Sequence, residues 1–264
     1  MQADSPAAQY QRDGFFIVAE PIIPTDLIAR TVERMDAVMA GEYETGIAPK
    51  SRHWNPGDDE RAIRKIDLPH LSDRTILELF CYPTIGEWAA RVTGAEVIQL
   101  WAAQMLYKPP SGNVLGNALG NVGWHQDKLY WPYWSGEVFT VWIALNDVSE
   151  ENGAMRFVRR SHTWGGVIDG GDFFSGDHEA QREAIAMPSG EQWEEVAAEL
   201  PAGGVSFHHG QTFHGSGPNV TTWPRRSFAL HIRTEKSSPL PGVEDGGYAS
   251  RLDEPDVCPI LYQA

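Results

Sequence analysis

From Glu96 onward the chain is written in short extended runs punctuated by glycine, proline and asparagine, and this rhythm most narrows what it can fold into. The runs are 97–101, 103–107, 139–145, 153–158, 204–208 and 227–232. Short strands separated by turn residues favour a jelly-roll-like barrel. The first third differs. Leu27, Ile28, Val32, Met35, Val38 and Met39 recur at helical spacing after Pro24-Thr25-Asp26, and Gly41 closes that run. Ser72-Asp73 can cap a second helix through Phe80, and a third begins at Ile85 and runs towards Val92. The expected layout is one domain over 1–264: a mostly helical buttress over 1–95, a β core over 96–235, and an extension over 236–264. Two inserts interrupt the rhythm. Residues 109–121 lead directly into His125 and are expected to form a lid, whereas the polar stretch 169–199 is expected to be a solvated excursion.

In His125-Gln126-Asp127, residues two apart on an extended strand point to the same side, so one face can offer an imidazole and a carboxylate to a metal ion. A lone His-x-Asp is more often a surface turn or a packed histidine, and its surroundings decide. Downstream, His214-Gly215-Ser216-Gly217-Pro218-Asn219 carries a second histidine in a glycine-rich turn. Two imidazoles and one carboxylate form the facial triad of non-haem Fe(II) oxygenases, with the opposite face open. His208 and His209 compete with His214, but the Gly-Ser-Gly context and the spacing to Arg225 favour His214. Arg225 opens the alternating run 227–233 and brings a planar fork suited to a carboxylate. His231 and His162 fit structural roles, while His53, His70 and His178 stand in polar or loop-like surroundings.

Between Gln104 and Arg233 the chain resembles the phytanoyl-CoA dioxygenase family of Fe(II)/2-oxoglutarate oxygenases. The resemblance is carried by Gln104-Met105-Leu106-Tyr107-Lys108-Pro109-Pro110, Trp124-His125-Gln126-Asp127, Trp142-Ile143-Ala144-Leu145-Asn146-Asp147-Val148 and Glu151-Asn152-Gly153-Ala154-Met155-Arg156-Phe157. Ser161-His162, the His214–Asn219 segment and Arg225 complete it. It implies a double-stranded β-helix core and one ferrous ion. It also implies that 2-oxoglutarate and O2 are consumed to hydroxylate, or otherwise oxidise, a small organic metabolite, with release of succinate and CO2. His125, Asp127 and His214 match the iron ligands, and Arg225 matches the residue that pairs with the distal carboxylate of 2-oxoglutarate. Ser216 resembles a hydroxyl that shares this carboxylate, Gln104 and Trp142 sit where family members line the co-substrate pocket, and Lys65 matches a lysine used there. With Asp127 in the carboxylate position, hydroxylation or desaturation is expected rather than halogenation. The chain departs from the pattern at Arg159-Arg160, where relatives commonly carry Pro-Gly.

A formal charge of −15 argues against nucleic acid and anionic membranes as partners, because phosphate surfaces reward dense Lys and Arg. Cys81 and Cys258 make no Cys-x-x-Cys pair, so neither a zinc knuckle nor a disulfide framework is expected. No apolar run reaches the ~18 residues of a membrane span and no signal peptide is visible, which points to a cytoplasmic protein. The C-terminal residues lack the Ser-Lys-Leu type of peroxisomal address. Tyr130, Trp131 and Trp134 are candidates for the mouth of a substrate pocket, as a cage for a cation or a platform for a flat ring. A small-molecule substrate is expected, since no basic cluster suits the phosphates of a coenzyme A thioester. The rival class is a non-catalytic cupin-like protein that binds a metal or another ligand.

Overall fold

The computed structural model describes residues 4–111 and 120–264. The chain opens with α1 (Pro6–Asp13), β1 (Phe15–Val18), α2 (Thr25–Ala40), β2 (Ser51–Arg52), β3 (Arg64–Asp67), α3 (Arg74–Phe80) and α4 (Pro83–Thr93). It continues with β4 (Val97–Lys108), β5 (Val122–His125), β6 (Trp134–Ser135), β7 (Val138–Ala144), β8 (Met155–Val158), α5 (His178–Ala184) and β9 (Glu195–Ala197). The last elements are β10 (Val205–His209), β11 (His214–Ser216), β12 (Arg225–Thr234), β13 (Ser238–Pro239) and β14 (Ile260–Gln263).

Two antiparallel sheets form the core. The major sheet runs β1-β10-β7-β12-β4-β3-β2, with β14 also paired to β4, and the minor sheet runs β5-β11-β8-β9. The fold is therefore mainly β, with a jelly-roll core and flanking helices. The period-two alternation of each strand divides its side chains between two faces. On β12, Phe228, Leu230 and Ile232 join a core with Phe139, Val141 and Ile143 of β7 and with α2–α4, while Ala229 packs with Trp142 against the minor sheet. Arg225 and His231 fall on the same inward face as Ala229, and all three line one cavity.

The helices start and stop where their chemistry dictates. Asp73 caps α3 by accepting from Thr75 N at 3.0 Å and Ile76 N at 3.1 Å, and Gly41 ends α2 in the left-handed region at φ 90°. Residues before 96 give more than a helical buttress, since β1, β2 and β3 all join the major sheet. Likewise the stretch after 235 returns to that sheet as β14. Gly86 of α4 permits this docking, because a Cβ there would lie 2.1 Å from the Leu261 carbonyl oxygen. Gly86→Ala is expected to destabilise the protein by about 1–3 kcal/mol through overpacking. Urea unfolding measures it, and an unchanged midpoint would contradict the close approach of α4 to β14.

The Arg159-Arg160 departure has a local reading. Arg160 adopts φ 64°, the region that glycine occupies most readily, and its N–H donates to the Asp13 carbonyl at 2.8 Å. A glycine in relatives suits that conformation, and here an arginine bears it. The 109–121 segment, expected as a lid, lies mostly outside the described residues, which omit 112–119.

Candidate active site

The two halves of the His-x-Asp tripeptide stand on different elements. His125 ends β5, and Asp127 begins a 3-10 turn over Asp127–Tyr130, so they do not share one strand as their spacing suggested. His214 likewise stands on a strand rather than in a turn, as the first residue of β11 and directly opposite His125 in register. Asp127 Oδ1 lies 3.7 Å from both His125 Nε2 and His214 Nε2. All three residues are buried, and their candidate ligand atoms fall within 4.8 Å of one another.

Proton positions follow from the partners. The Nδ1 atoms meet backbone carbonyls, Gly123 O at 2.8 Å for His125 and Thr212 O at 3.0 Å for His214. A carbonyl can only accept, so each Nδ1 carries the hydrogen and each Nε2 presents a lone pair to the centre of the triad. Burial, with His125 and His208 nearby, pushes the His214 imidazole well below its ordinary pKa and keeps it neutral. Burial opposes ionisation of Asp127, but the imidazoles of His214, His125 and His208 outweigh it and hold the carboxyl well below its usual range. A carboxylate and two imidazoles form a donor set suited to a divalent transition metal.

Behind the carboxylate, Asp127 Oδ2 accepts from Thr140 Oγ1 at 2.7 Å and from His208 Nε2 at 3.1 Å. Two donors on one oxygen turn the other towards the metal position. His208, the sequence's alternative to His214, meets Oδ2, the carboxylate oxygen other than the one between His125 and His214; its inward position on β10, opposite Thr140 on β7, is the register that brings it there. His208→Leu is expected to weaken Fe(II) binding about 10- to 100-fold, the usual cost of losing an outer partner. Competition with a chelator of known affinity measures it, and an unchanged affinity would leave Asp127 held by Thr140 alone.

Arg225 lines the same cavity, and the buried Lys108 stands beside it. Arg225 and Lys108 are direct cross-strand partners on β12 and β4, and each is at most 2% exposed. Arg225 Nη1 donates to the Gly153 carbonyl at 2.6 Å, its Nε has no partner among the described residues, and its guanidinium lies 5.2 Å from the Trp142 ring. Lys108 Nζ donates to Ser216 Oγ at 2.7 Å and to the Gly217 carbonyl. Neither forms an ion pair among the described residues. Burial lowers Arg225 to about 10, so it remains charged at neutral pH, while burial and the Arg225 charge hold Lys108 well below its ordinary value. Lys108 was missed as a site residue, although it stood in the quoted Tyr107-Lys108-Pro109-Pro110 stretch. A buried guanidinium beside a buried lysine, with no carboxylate paired to either among the described residues, makes a receptor for an anion.

A cavity of about 250 Å³ joins the triad to this receptor, and its lining includes Ser216, Trp142, Gln104, Lys65, Tyr130 and Trp131. Lys65 has its ammonium engaged by Asp67 at 2.8 Å and by His53 at 3.3 Å. Trp134 is a correction. It does not line this cavity but is 2% exposed and packs beside Trp101 with ring centroids 5.4 Å apart, because so large an apolar ring is best satisfied in the core. The 169–199 stretch is another. It contains α5 and β9, and its Phe173 and Phe174 line the cavity, with the Phe173 ring 5.1 Å from that of His125. Gln181 Oε1 accepts from Trp124 N at 2.8 Å, tying the stretch to β5. The compact approach depends on Gly123, where a Cβ would lie 2.1 Å from Asp172 O.

Known proteins share both the fold and the sequence. A probable alpha-ketoglutarate-dependent hypophosphite dioxygenase of Stutzerimonas stutzeri is 32% identical over 259 residues, covering 93% of this chain and 85% of the relative. The solved epimerase SnoN from nogalamycin biosynthesis, in complex with Fe3+, alpha ketoglutarate and nogalamycin RO, superposes with a TM-score of 0.68 at 25% identity. The match covers 90% of this chain and 86% of that one. The carbocyclase SnoK shares the fold, with a TM-score of 0.68 at 22% identity, over 95% of this chain and 91% of its own. The profile of phytanoyl-CoA dioxygenase (PhyH) matches residues 10–227. On that match and the likeness to an alpha-ketoglutarate-dependent dioxygenase, the chain belongs to the phytanoyl-CoA dioxygenase family of iron- and 2-oxoglutarate-dependent oxygenases.

Proposed function

We propose that the protein hydroxylates a small organic metabolite, with His125, Asp127 and His214 holding Fe(II) and Arg225, Lys108 and Ser216 holding the distal carboxylate of 2-oxoglutarate. The observation that carries this reading is a buried His-Asp-His set in one cavity with the buried Arg225, which, like the neighbouring Lys108, has no ion-pair partner among the described residues. Bound iron supplies the oxidising chemistry, coupling conversion of 2-oxoglutarate and O2 to succinate and CO2 with oxidation of the substrate. The chain's own residues do the positioning. Arg225 offers its free Nε–H edge to a carboxylate, and Ser216, already accepting from Lys108, has its hydroxyl proton left to donate. Trp142 and Gln104 wall this end, and Trp131 walls the end where substrate enters.

The walls also favour an organic body. Trp101, Trp131, Tyr133, Phe173 and Tyr248 line the substrate side, where Lys65 is neutralised by Asp67. A bare inorganic oxyanion, such as the substrate named for the Stutzerimonas relative, would find aromatic faces and no unpaired cation there among the described residues. Among the described residues, no helix is long and apolar enough to cross a membrane.

Anaerobic titration of the Fe(II)-loaded protein with 2-oxoglutarate tests the reading. The expected result is a weak visible charge-transfer band that saturates with added co-substrate. Bound iron with no band would leave a cupin-like metal protein instead. Proton uptake gives a second check. A carboxylate favours the charged form of Lys108, whose ammonium is destabilised in the free protein, so binding should take up a proton and weaken as pH rises. Calorimetry in buffers of different ionisation enthalpy measures the uptake, and Lys108→Met should abolish it. Equal heats in all buffers would remove Lys108 from the receptor.

A further inference from the structure

The substrate side of the cavity contains a matched pair of hydrogen-bonding atoms that the protein does not use. His231 is 3% exposed and Trp101 is 1% exposed, and both line the cavity with ring centroids 5.7 Å apart. Neither His231 Nε2 nor Trp101 Nε1 has a partner among the described residues. Buried polar atoms are nearly always paired, so an orphaned donor and an orphaned acceptor side by side call for a ligand.

The tautomer of His231 follows from a chain of contacts. Thr140 Oγ1 lies 2.7 Å from Asp127 Oδ2 and 3.0 Å from His231 Nδ1. The carboxylate can only accept, so the single hydroxyl proton goes to Asp127, and the Thr140 oxygen must accept from His231 Nδ1–H. His231 Nε2 is therefore a lone pair, and burial, which lowers the imidazole to about 4, keeps it so at neutral pH. Trp101 Nε1–H can only donate.

Backbone geometry brings the two together. On β4, Leu100 pairs with Ile232 and Ala102 pairs with His231, which leaves Trp101 as the extra residue of a β-bulge. Without the bulge, alternation would send Trp101 to the helix-covered face with Ala103 and Met105; with it, the indole stands on the inward face beside Ala102. Trp131 stacks its edge against both rings, 5.0 Å from Trp101 and 4.5 Å from His231.

Resting on the oxygenase reading above, we propose that His231 and Trp101 form a subsite for a substrate hydroxyl, which donates to His231 Nε2 and accepts from Trp101 Nε1–H. A hydroxyl is the small group that does both through one oxygen. Because His231 is joined to the iron ligand Asp127 through Thr140 alone, this hydroxyl belongs close to the carbon that is oxidised. The substrate class is a small alcohol with a flat or cyclic apolar body packed on Trp131.

The test uses cyclohexanol and its methyl ether as probes of the anaerobic Fe(II)/2-oxoglutarate-loaded protein, with binding followed by calorimetry. The variants are His231→Asn, whose amide N–H can still donate to Thr140 but which lacks the Nε2 acceptor, and Trp101→Phe. Cyclohexanol is expected to bind about three- to tenfold tighter than the ether, the span of one neutral hydrogen bond. It should lose that advantage in His231→Asn, while the ether loses affinity only in Trp101→Phe. Equal binding of alcohol and ether to the wild type, unaltered alcohol binding in His231→Asn, or no binding to protein that shows the co-substrate band would overturn the subsite. Absence of the band would instead refute the oxygenase reading.

Discussion

Arg225→Met is expected to weaken 2-oxoglutarate binding about a hundredfold while leaving iron affinity nearly unchanged. Removing one partner of a desolvated charge pair typically costs 2–5 kcal/mol or more, most of it from the charge left alone. The ligand-free protein should respond in the opposite sense. Its Arg225 is fully buried, bonds through Nη1 to the Gly153 carbonyl, and has no carboxylate beside it. An uncompensated buried charge opposes folding, and methionine fills similar space without it. Co-substrate titration and thermal unfolding of apo protein form the paired measurement. A variant that binds 2-oxoglutarate normally would move the anchor elsewhere. One that binds poorly and is also much less stable without ligand would show that Arg225 serves packing rather than recognition.

Asp127→Ala is expected to reduce Fe(II) affinity at least about a thousandfold and to abolish turnover. The change removes the single negative ligand and strands the donors Thr140 Oγ1 and His208 Nε2 that converge on it. Leaving buried donors unsatisfied costs about 1–3 kcal/mol, so the apo protein should also unfold at lower denaturant. His214→Ala should match it in iron loss, and its own stability change should be separable because only the Thr212 carbonyl loses a partner. Iron content after anaerobic reconstitution decides the matter. Wild-type iron and turnover in either variant would sink the proposed triad.

Much of the architecture could be read from local pattern because alternation and turn residues act locally. The runs at 139–145 and 227–232 became β7 and most of β12, and Asp73 capped α3, each from a few neighbouring residues. Long-range pairing was not legible. That His214 would face His125 across two short strands, or that Lys108 would stand opposite Arg225, depends on register set by the whole sheet. The bulge at Trp101 was invisible for the same reason, and two expected strands proved to be one, β4, with an irregularity between them. Trp134 misled because aromatic clustering in sequence does not say which ring faces a cavity and which fills the core. The polar look of 169–199 hid Phe173, an apolar residue placed by its anchored loop against the His125 ring.

The proposed metal ligands His125 and His214 stand on the minor sheet, whereas Arg225, Thr140 and His208 stand on the major one. On the proposed reading, the minor sheet alone offers His125 and His214 without the Arg225 anchor, and the major sheet alone offers the anchor without those two ligands. The proposed iron site and co-substrate anchor meet only in the cavity between the two docked sheets. Loosening of the contact between the sheets would thus separate iron from its co-substrate before it disturbed either sheet's own hydrogen-bonded ladder, so coupled turnover would report on the docking of the two layers.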